Sequence, residues 1–261
     1  MTIIDPILHG GVVTTVTFFG VLLALRLGRL LGGRAIARFG SIGNTIGSLE
    51  AAVFALLGLL IAFTFSGALT RFDARRTQVV QEANAIGTAW LRIDVLPVAA
   101  QPKLRETFKD YVDARIATYR KLPDMKAAHA ELARSQDLQD EIWAQALAAI
   151  QLPKSRVDAG MLVMPALNDM FDITTTRFAA TELHPPGAIY LMLIALALVA
   201  ALLAGYQSAG EKGSAWIHKI AFAAIVSATV YVILEIEYPR LGLIRIDAID
   251  HLLIDVRARM K

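Results

Sequence analysis

The sequence contains no cysteine. This absence excludes disulfide bonds, a thiolate nucleophile and a cysteine-ligated metal. Proline is also scarce, and none lies between Pro6 and Pro97. Because an internal proline removes a backbone hydrogen bond and clashes with the preceding turn, this long interval contains nothing that forces a helix to break.

Charged residues make up only 19% of the 261 residues, with a net charge of +3, so the sequence has no nucleic-acid-binding footprint. No G-x-S-x-G, H-E-x-x-H, Walker A or G-x-G-x-x-G pattern is present, and we predict neither catalytic residues nor a cofactor. A short acidic run near the C-terminus could hold a cation, but such runs on amphipathic helices are usually solvated, and we predict no metal site. The run comprises Asp247, Asp250, His251 and Asp255.

Apolar residues dominate instead: 56% of the chain is hydrophobic and the mean hydropathy is +0.52. Soluble domains average roughly 45–50% apolar residues. Three uncharged runs are close to the ~20 residues that cross a bilayer as a helix, and a shorter fourth run is extended at its start by Trp216, Ile217, His218 and Lys219. The sequence therefore predicts an all-α, multi-pass membrane protein with four transmembrane helices. The runs are Ile7–Leu25, Ala51–Leu69, Gly187–Tyr206 and Ile220–Leu234.

The second run is predicted to belong to a much longer helix, from about Gly47 to Leu96. At 1.5 Å per residue it would be roughly 75 Å long, and less than half of that spans hydrocarbon. We expect residues 1–70 to hold the first two membrane helices and residues 71–184 to form an extramembrane helical module. Residues 185–238 would supply the third and fourth membrane helices, and 239–261 an amphipathic C-terminal helix.

In the module, Asp124 is predicted to cap a helix, and a later helix, from about Ser155 to Thr181, is predicted to be kinked at Pro165. After the first run, glycines between arginines indicate a pliable connector to the second helix; these residues are Arg26, Gly28, Arg29, Gly32, Gly33, Arg34, Arg38 and Gly40. Asp247 is predicted to cap the C-terminal helix, whose apolar face holds Ile249, Leu252, Leu253 and Val256.

One side of the long helix is apolar in its membrane half and small or neutral-polar beyond it. We call this side the lining stripe. It would suit a water-filled path lined by several copies of the helix, or it packs against a neighbouring helix of small residues. The opposite side is predicted to pack against other helices and holds Phe65, Phe72, Val79, Ile86 and Trp90. The lining stripe comprises Leu56, Leu59, Phe63, Gly67, Thr70, Thr77, Gln81 and Thr88, flanked by the charges Arg71, Arg75 and Glu82.

Three further ionisable residues lie at the ends of predicted helices. Glu237 lies at the end of the fourth membrane run, where an ionisable group is a functional candidate, although a structural pair with nearby Arg240 is at least as good an explanation. His184 and His218 stand at helix starts, where either could sense pH or form local hydrogen bonds.

The segment LLGLLIAFTFSGALTRFDARRTQVVQEANAIGTAWLR resembles the second membrane helix of bestrophins. In this chain Arg71, Arg76, Glu82, Asn84 and Arg92 stand in comparable places. The blocks FTFSGALTRFDARR, EANAIGTAWLRIDVLP, HPPGAIYLMLIALAL and VYVILEIEYPRLGLIRID resemble bestrophin-like bacterial membrane proteins of unknown function.

Bestrophins are pentameric, mostly anion-selective channels whose second helix forms a hydrophobic neck. The resemblance implies a homo-oligomeric ion channel, a pentamer, with a pore lined by the second helix. Leu59 and Phe63 would form the neck, which gates by dewetting. Bestrophins keep a bulky residue where this chain has Gly67, so the neck here would be shorter or wider. The alternative is a non-conducting membrane sensor or assembly protein whose helical module binds a partner.

The predicted location is the bacterial inner membrane. Four arginines follow the first run, and Lys212 and Lys219 lie between the third and fourth runs, whereas the N-terminal tail lacks Lys and Arg. The positive-inside rule then places both connectors in the cytoplasm and the helical module outside. The resemblance implies the opposite, because bestrophins hold their soluble module in the cytosol. Arg71 and Arg75 would favour anions if they faced a lumen, and would have no such effect if paired.

Overall fold

The computed structural model describes residues 6–40, 45–122, 124–153, 155–210, 216–239, 243–244 and 246–261. Over these ranges the chain is helical without any strand, which confirms the predicted all-α class. Two short 3₁₀ turns, Ile93–Val95 and Ser208–Gly210, also occur. The α-helices are α1 (Pro6–Phe39), α2 (Thr45–Arg92), α3 (Gln101–Arg120), α4 (Met125–Ile150), α5 (Ala159–Glu182), α6 (Gly187–Gln207), α7 (Trp216–Glu237) and α8 (Asp247–Arg259).

The predicted long second helix is confirmed, because α2 runs unbroken through 48 residues from Thr45 to Arg92. It does not end near Thr70, where the apolar half stops. In the described part of the chain, four helices are long and apolar enough to cross a membrane, as the four apolar runs predicted. Length and hydropathy alone were sufficient for this result, because both are properties of the local sequence.

The predicted pliable connector after the first membrane run is wrong, since α1 continues as helix as far as Phe39. Gly28 and Gly32 lie inside α1 against α6: a Cβ on Gly28 would collide with the backbone of Leu202, and one on Gly32 with the backbone of Tyr206. These glycines therefore permit close helix packing. The helix ends at Gly40, whose φ of 81° favours glycine and whose N–H donates to Ile36 O at 2.8 Å.

The chain divides into two compact units. Unit 1 comprises Met1–Arg71 and His184–Tyr238 and holds α1, the first part of α2, α6 and α7. Within it α1 packs against α6 and α7, and Phe54 of α2 contacts Phe222 of α7 edge to face, at 5.7 Å between ring centroids. The buried apolar side chains of unit 1 include Val21, Leu25, Leu57, Leu193, Val230 and Ile233.

Unit 2 comprises Phe72–Leu183 and Pro239–Lys261. Here α3 packs against α4 and α8, and α4 packs against α5. The predicted cap by Asp124 is confirmed, since Ala127 N donates to its carboxylate at 3.0 Å. The predicted cap by Asp247 concerns a side chain outside the described residues; α8 begins at that residue, after Ile246. The core of unit 2 includes Ile86, Phe108, Tyr111, Ile142, Leu167, Met170 and Leu253.

Candidate functional site

In unit 1 the lining stripe is almost uncovered by its own chain. Leu56, Leu59, Phe63 and Thr70 are exposed, and Gly67 is half-buried. Only 11% of the apolar window of α2 is buried within the chain, against 44% for α7. The membrane half of α2 therefore presents a large apolar face that lipid or another copy must cover.

Phe63 is the most exposed of the bulky residues on this face, at 68%. Phe65, two residues further on, is 38% exposed within its own chain, so the predicted packing of this side chain against other helices is only partly made there. The part of unit 1 that packs against α2 leaves Phe65 only partly covered. Leu57 and Ala68, which also lie away from the lining stripe, are buried.

In unit 2 the remaining members of the lining stripe, Thr77, Gln81 and Thr88, are exposed. Thr77 Oγ1 donates to Asp73 O, at 2.9 Å, within its own helix. The opposite side behaves as predicted at Val79, Ile86 and Trp90, which are buried, whereas Phe72 is half-buried. No described part of unit 2 packs over the polar side of α2 at these positions.

Arg71, one of the three predicted flanking charges, pairs with Glu237 inside unit 1. Arg71 Nε donates to both carboxylate oxygens, at 3.1 and 3.0 Å, and Nη2 donates to Oε2 at 2.7 Å. His184 Nδ1 donates to Oε1 of the same carboxylate at 3.0 Å, and its ring lies 4.5 Å from that of Tyr238. Glu237 is fully buried. Arg71 is thus the arginine that holds this carboxylate, whereas Arg240 lies outside the described residues.

Arg75 and Glu82, the other two predicted flanking charges, are buried in unit 2. Arg75 Nε donates to Ala180 O at 3.0 Å, and its Nη2 donates to Leu183 O at 3.3 Å. These bonds use carbonyls at the end of α5 that would otherwise lack helical partners. Neither side chain presents its charge on the surface of unit 2.

Glu82 is the centre of a buried ionic cluster. Its Oε1 accepts from Arg115 Nε at 2.7 Å, and its Oε2 accepts from Arg177 Nη1. Arg115 Nη2 donates to the hydroxyl of Tyr119 at 2.9 Å, and the Tyr119 ring lies 4.1 Å from the Arg177 guanidinium carbon. Asp250 Oδ1 lies 3.7 Å from Arg177 Nη2. The two arginines thus face two carboxylates, and the cluster joins α2, α3, α5 and α8.

Burial by itself would lower the pKa of Arg115, but the neighbouring Tyr119 and Glu82 raise that pKa above its ordinary value. Arg115 therefore stays charged in the core. The sequence contains one signal for this cluster: Arg115 occupies an apolar helical position between Tyr111 and Tyr119. An arginine at such a position requires a buried partner, yet helical spacing does not indicate which carboxylate supplies it.

A groove of about 270 Å³ lies in unit 1 beside the membrane half of the lining stripe. Its walls come from α2 and from the start of α6, and Arg71 stands among them. Apolar and aromatic side chains make up most of the surface. The lining residues are Leu60, Phe63, Thr64, Gly67, Arg71, Pro185, Ile189, Tyr190 and Met192.

Within the described residues, no group of three or more His, Asp or Glu side chains is arranged to hold a metal ion. In the acidic run, Asp250 contacts Arg177 of the buried cluster, and the side chain of Asp247 is not among those described. Glu237 and His184 both take part in the hydrogen bonds around Arg71.

Helices able to cross a membrane and an all-helical second unit define a multi-pass α-helical membrane protein. A family model of the Bestrophin-like domain matches residues 13–248. The chain belongs to the Bestrophin-like family, which confirms the resemblance in its second helix. The family and fold are those of bestrophin-type channels rather than of enzymes.

The fold is similar to crystal structures of variants of a bacterial bestrophin homolog from Klebsiella pneumoniae. One has a TM-score of 0.67 at 14% identity, covering 94% of this chain and 100% of that chain. A second has a TM-score of 0.67 at 12% identity, covering 94% and 98%. A third has a TM-score of 0.63 at 15% identity, covering 94% and 100%. No curated protein sequence matches the chain.

Proposed function

We propose that the protein is a homo-oligomeric, bestrophin-like ion channel whose pore is lined by α2. The observation that carries this proposal is the exposure of the lining stripe. Bulky apolar side chains occupy the stripe in unit 1, polar neutral side chains occupy it in unit 2, and the chain itself covers neither set. A pore lined by one helix per subunit requires a closed ring of subunits, and we propose the pentamer of the bestrophin family.

The proposed neck consists of Leu59 and Phe63, with Leu56 one turn earlier on the lining stripe, and all three are exposed in unit 1. A ring of such side chains offers no hydrogen bonds to water or to a hydrated ion. An ion therefore meets a desolvation barrier at the neck, and wetting of the constriction gates conduction. Gly67 leaves the next turn without a side chain, which keeps the neck short.

Beyond the neck, Thr70, Thr77, Gln81 and Thr88 would line a wider, water-filled path. Thr70 and Thr77 each donate their hydroxyl to a carbonyl one turn earlier, at 2.9 Å in both cases, and each oxygen can still accept a bond from water. Neutral polar side chains of this kind support water without fixing the sign of the permeant ion. Inorganic ions and lipid are the proposed partners, together with other copies of the chain.

We propose that the protein lies in the bacterial inner membrane. Residues 1–70 and 185–238 would form the membrane helices, residues 71–184 the extramembrane module and residues 239–261 the C-terminal helix.

The alternative, a non-conducting sensor or assembly protein, has one supporting observation. Unit 2 exposes the apolar side chains of Leu91, Val98, Val157 and Met161, which a partner could cover.

The test combines imaging and flux measurement on detergent-purified, full-length protein. Particle images are expected to show a closed ring with a central hole. The same preparation, reconstituted into liposomes, is expected to conduct chloride, sodium or potassium. A monomer or simple dimer, or an intact ring silent to all three ions and to protons both as wild type and with an opened neck, would favour the partner-binding alternative.

A further inference from the structure

Arg71 lies one helical turn after Gly67 on the edge of the lining stripe. Its Nη1 atom is 3.3 Å from the place that a Cβ on Gly67 would occupy. The guanidinium therefore folds back over the glycine at the end of the proposed neck, where an added Cβ would make a tight contact with it. The side chain of Arg71 remains 33% exposed, although the other edge of its guanidinium, formed by Nε and Nη2, is bound to Glu237.

Glu237 holds that other edge from α7. Three hydrogen bonds join the Nε and Nη2 atoms of Arg71 to the carboxylate, and His184 adds a fourth donor to Oε1. Glu237 is fully buried, so water does not screen it. Charge-assisted bonds of this kind fix the plane of the guanidinium as well as neutralising its charge. Glu237 thus positions Arg71, and the Nη1 edge is the one directed at Gly67.

We propose that Arg71 determines the charge selectivity of the pore and that Glu237, as a positioning residue, limits how strongly Arg71 favours anions. This inference rests on the proposed channel function. A charge beside a narrow, weakly hydrated passage acts on a permeating ion through a low effective dielectric, where Coulomb interactions are several times stronger than in bulk water. In the wild type the buried carboxylate of Glu237 offsets most of the attraction that Arg71 would exert on an anion.

Other charges on α2 are less suited to this role. Arg75 and Glu82 are buried with partners of their own. Asp73 and Arg76 form an exposed i, i+3 pair at 3.3 Å, and solvent screens such pairs strongly. Among the flanking charges predicted from the sequence, Arg71 alone is both partly exposed and next to a residue of the lining stripe.

The experiment measures reversal potentials of the reconstituted full-length protein in a planar bilayer under a potassium chloride gradient. Glu237→Gln keeps the shape of the side chain and removes the offsetting charge, so the chloride-to-potassium permeability ratio is expected to rise about 3- to 10-fold at low salt. Arg71→Gln leaves the carboxylate without its cation, and the ratio is expected to fall by a similar factor. The double variant is expected to lie close to the wild type.

Arg26→Gln is the matched control, because it removes the same charge from an exposed position on α1. Its reversal potential is expected to equal that of the wild type. If both single variants conduct with unchanged reversal potentials, the role of Arg71 is overturned while the channel itself stands. If neither the wild type nor any variant conducts although the rings are intact, the channel proposal fails instead.

Removing one member of a buried pair can prevent assembly, so a second pair of variants keeps the charges unchanged. Gly67→Ala introduces a methyl group at 3.3 Å from Arg71 Nη1, closer than ordinary contact, so the guanidinium must shift by a few tenths of an ångström. Gly58→Ala makes the same change on α2 where a Cβ would meet nothing within 4 Å. A shift in reversal potential is expected for Gly67→Ala alone. Equal reversal potentials in these two variants would overturn the assignment.

Discussion

Phe63 and Phe65 show how two identical residues on one helix acquire different expected roles. They stand two positions apart on α2, so their side chains leave the helix on different sides. Phe63 belongs to the lining stripe and is the more exposed of the two. Phe65 lies outside the stripe, and its partial exposure means that its own chain gives it only part of its packing.

Phe63→Ala is expected to raise ion flux several-fold, because the smaller side chain lets water wet the constriction and lowers the desolvation barrier. Liposome flux or planar-bilayer recording measures the effect. Phe65→Ala is the matched control and should not increase flux. Since Phe65 is only partly buried, its truncation should cost less than the about 3–5 kcal/mol of a fully buried Phe→Ala change. Equal flux in both variants would place the constriction elsewhere on α2.

Glu82 lies in surroundings that differ sharply from those predicted for it. The sequence suggests a charge flanking a pore, and the structure shows a carboxylate buried between Arg115 and Arg177. Replacing it removes the counter-charge of two arginines that cannot reach water. The consequence belongs to stability rather than to ion selectivity.

Glu82→Ala is therefore expected to destabilise unit 2 by about 3–5 kcal/mol, the usual cost of leaving a buried charge unpaired. The measurement is the Tm of the purified protein in detergent, followed by circular dichroism. Asp73→Ala is the control: Asp73 carries the same kind of charge on the same helix but is exposed and paired with exposed Arg76. Its effect should stay below about 1 kcal/mol. A Tm equal to that of Asp73→Ala would show that the cluster contributes little to stability.

At the scale of single elements, α1 and α2 differ in what covers them. Helix α1 packs closely against α6, and Gly28, Gly32 and Gly205 allow the two backbones to approach. Small residues at such contacts are the usual means of bringing membrane helices together. Helix α2 has little of its apolar half covered, which is the property expected of an element that completes its packing in an assembly.

Gly28→Ala is expected to weaken the α1–α6 packing, because the added Cβ would lie 2.8 Å from Tyr206 N and would collide with Leu202 O. Backbone atoms cannot move aside as a flexible side chain does, so the Tm in detergent should fall. Gly33→Ala makes the same change five residues later in α1, where a Cβ would meet nothing within 4 Å. It should be neutral or stabilising by up to about 1 kcal/mol, the helix-propensity difference between glycine and alanine. A lower Tm for Gly33→Ala than for Gly28→Ala would contradict this account of the packing.

At the scale of the whole molecule, membrane orientation is set by charges that are far apart in the sequence. The arginines that the sequence assigns to a connector lie on α1, yet they remain close to the end of its apolar run. The positive-inside rule counts charges near the ends of membrane helices, so its prediction still places the helical module outside. The resemblance to bestrophins implies instead that the helical module lies on the cytoplasmic side.

The absence of cysteine makes this question directly measurable. Asp137→Cys introduces a single thiol at an exposed position of α4 in unit 2. Following the charge rule, we expect a membrane-impermeant maleimide to label this thiol in intact spheroplasts. Labelling only after lysis would instead support the cytoplasmic arrangement of bestrophins. Wild-type protein, which has no thiol, is the control for non-specific labelling.

The sequence alone determined the helical class, the membrane helices, the unbroken α2 and the family. Each of these depends on local properties: the length of uncharged runs, the absence of proline between Pro6 and Pro97, and the residue types within one helix. It also identified the lining stripe, because helical periodicity decides which residues of α2 share a side. Local patterns of this kind survive folding unchanged, so they can be recognised without knowledge of the neighbours.

Only the tertiary structure decided what those sides contact. The pair Arg71–Glu237 joins residues 166 positions apart, and Arg177 reaches Glu82 across 95 positions. No local period relates such residues, and several carboxylates were equally plausible partners for each arginine. The glycines of α1 were likewise ambiguous, since flexibility and close packing both favour glycine. Burial and contact resolved each case, because they depend on which helices pack together and not on the residues adjacent in the chain.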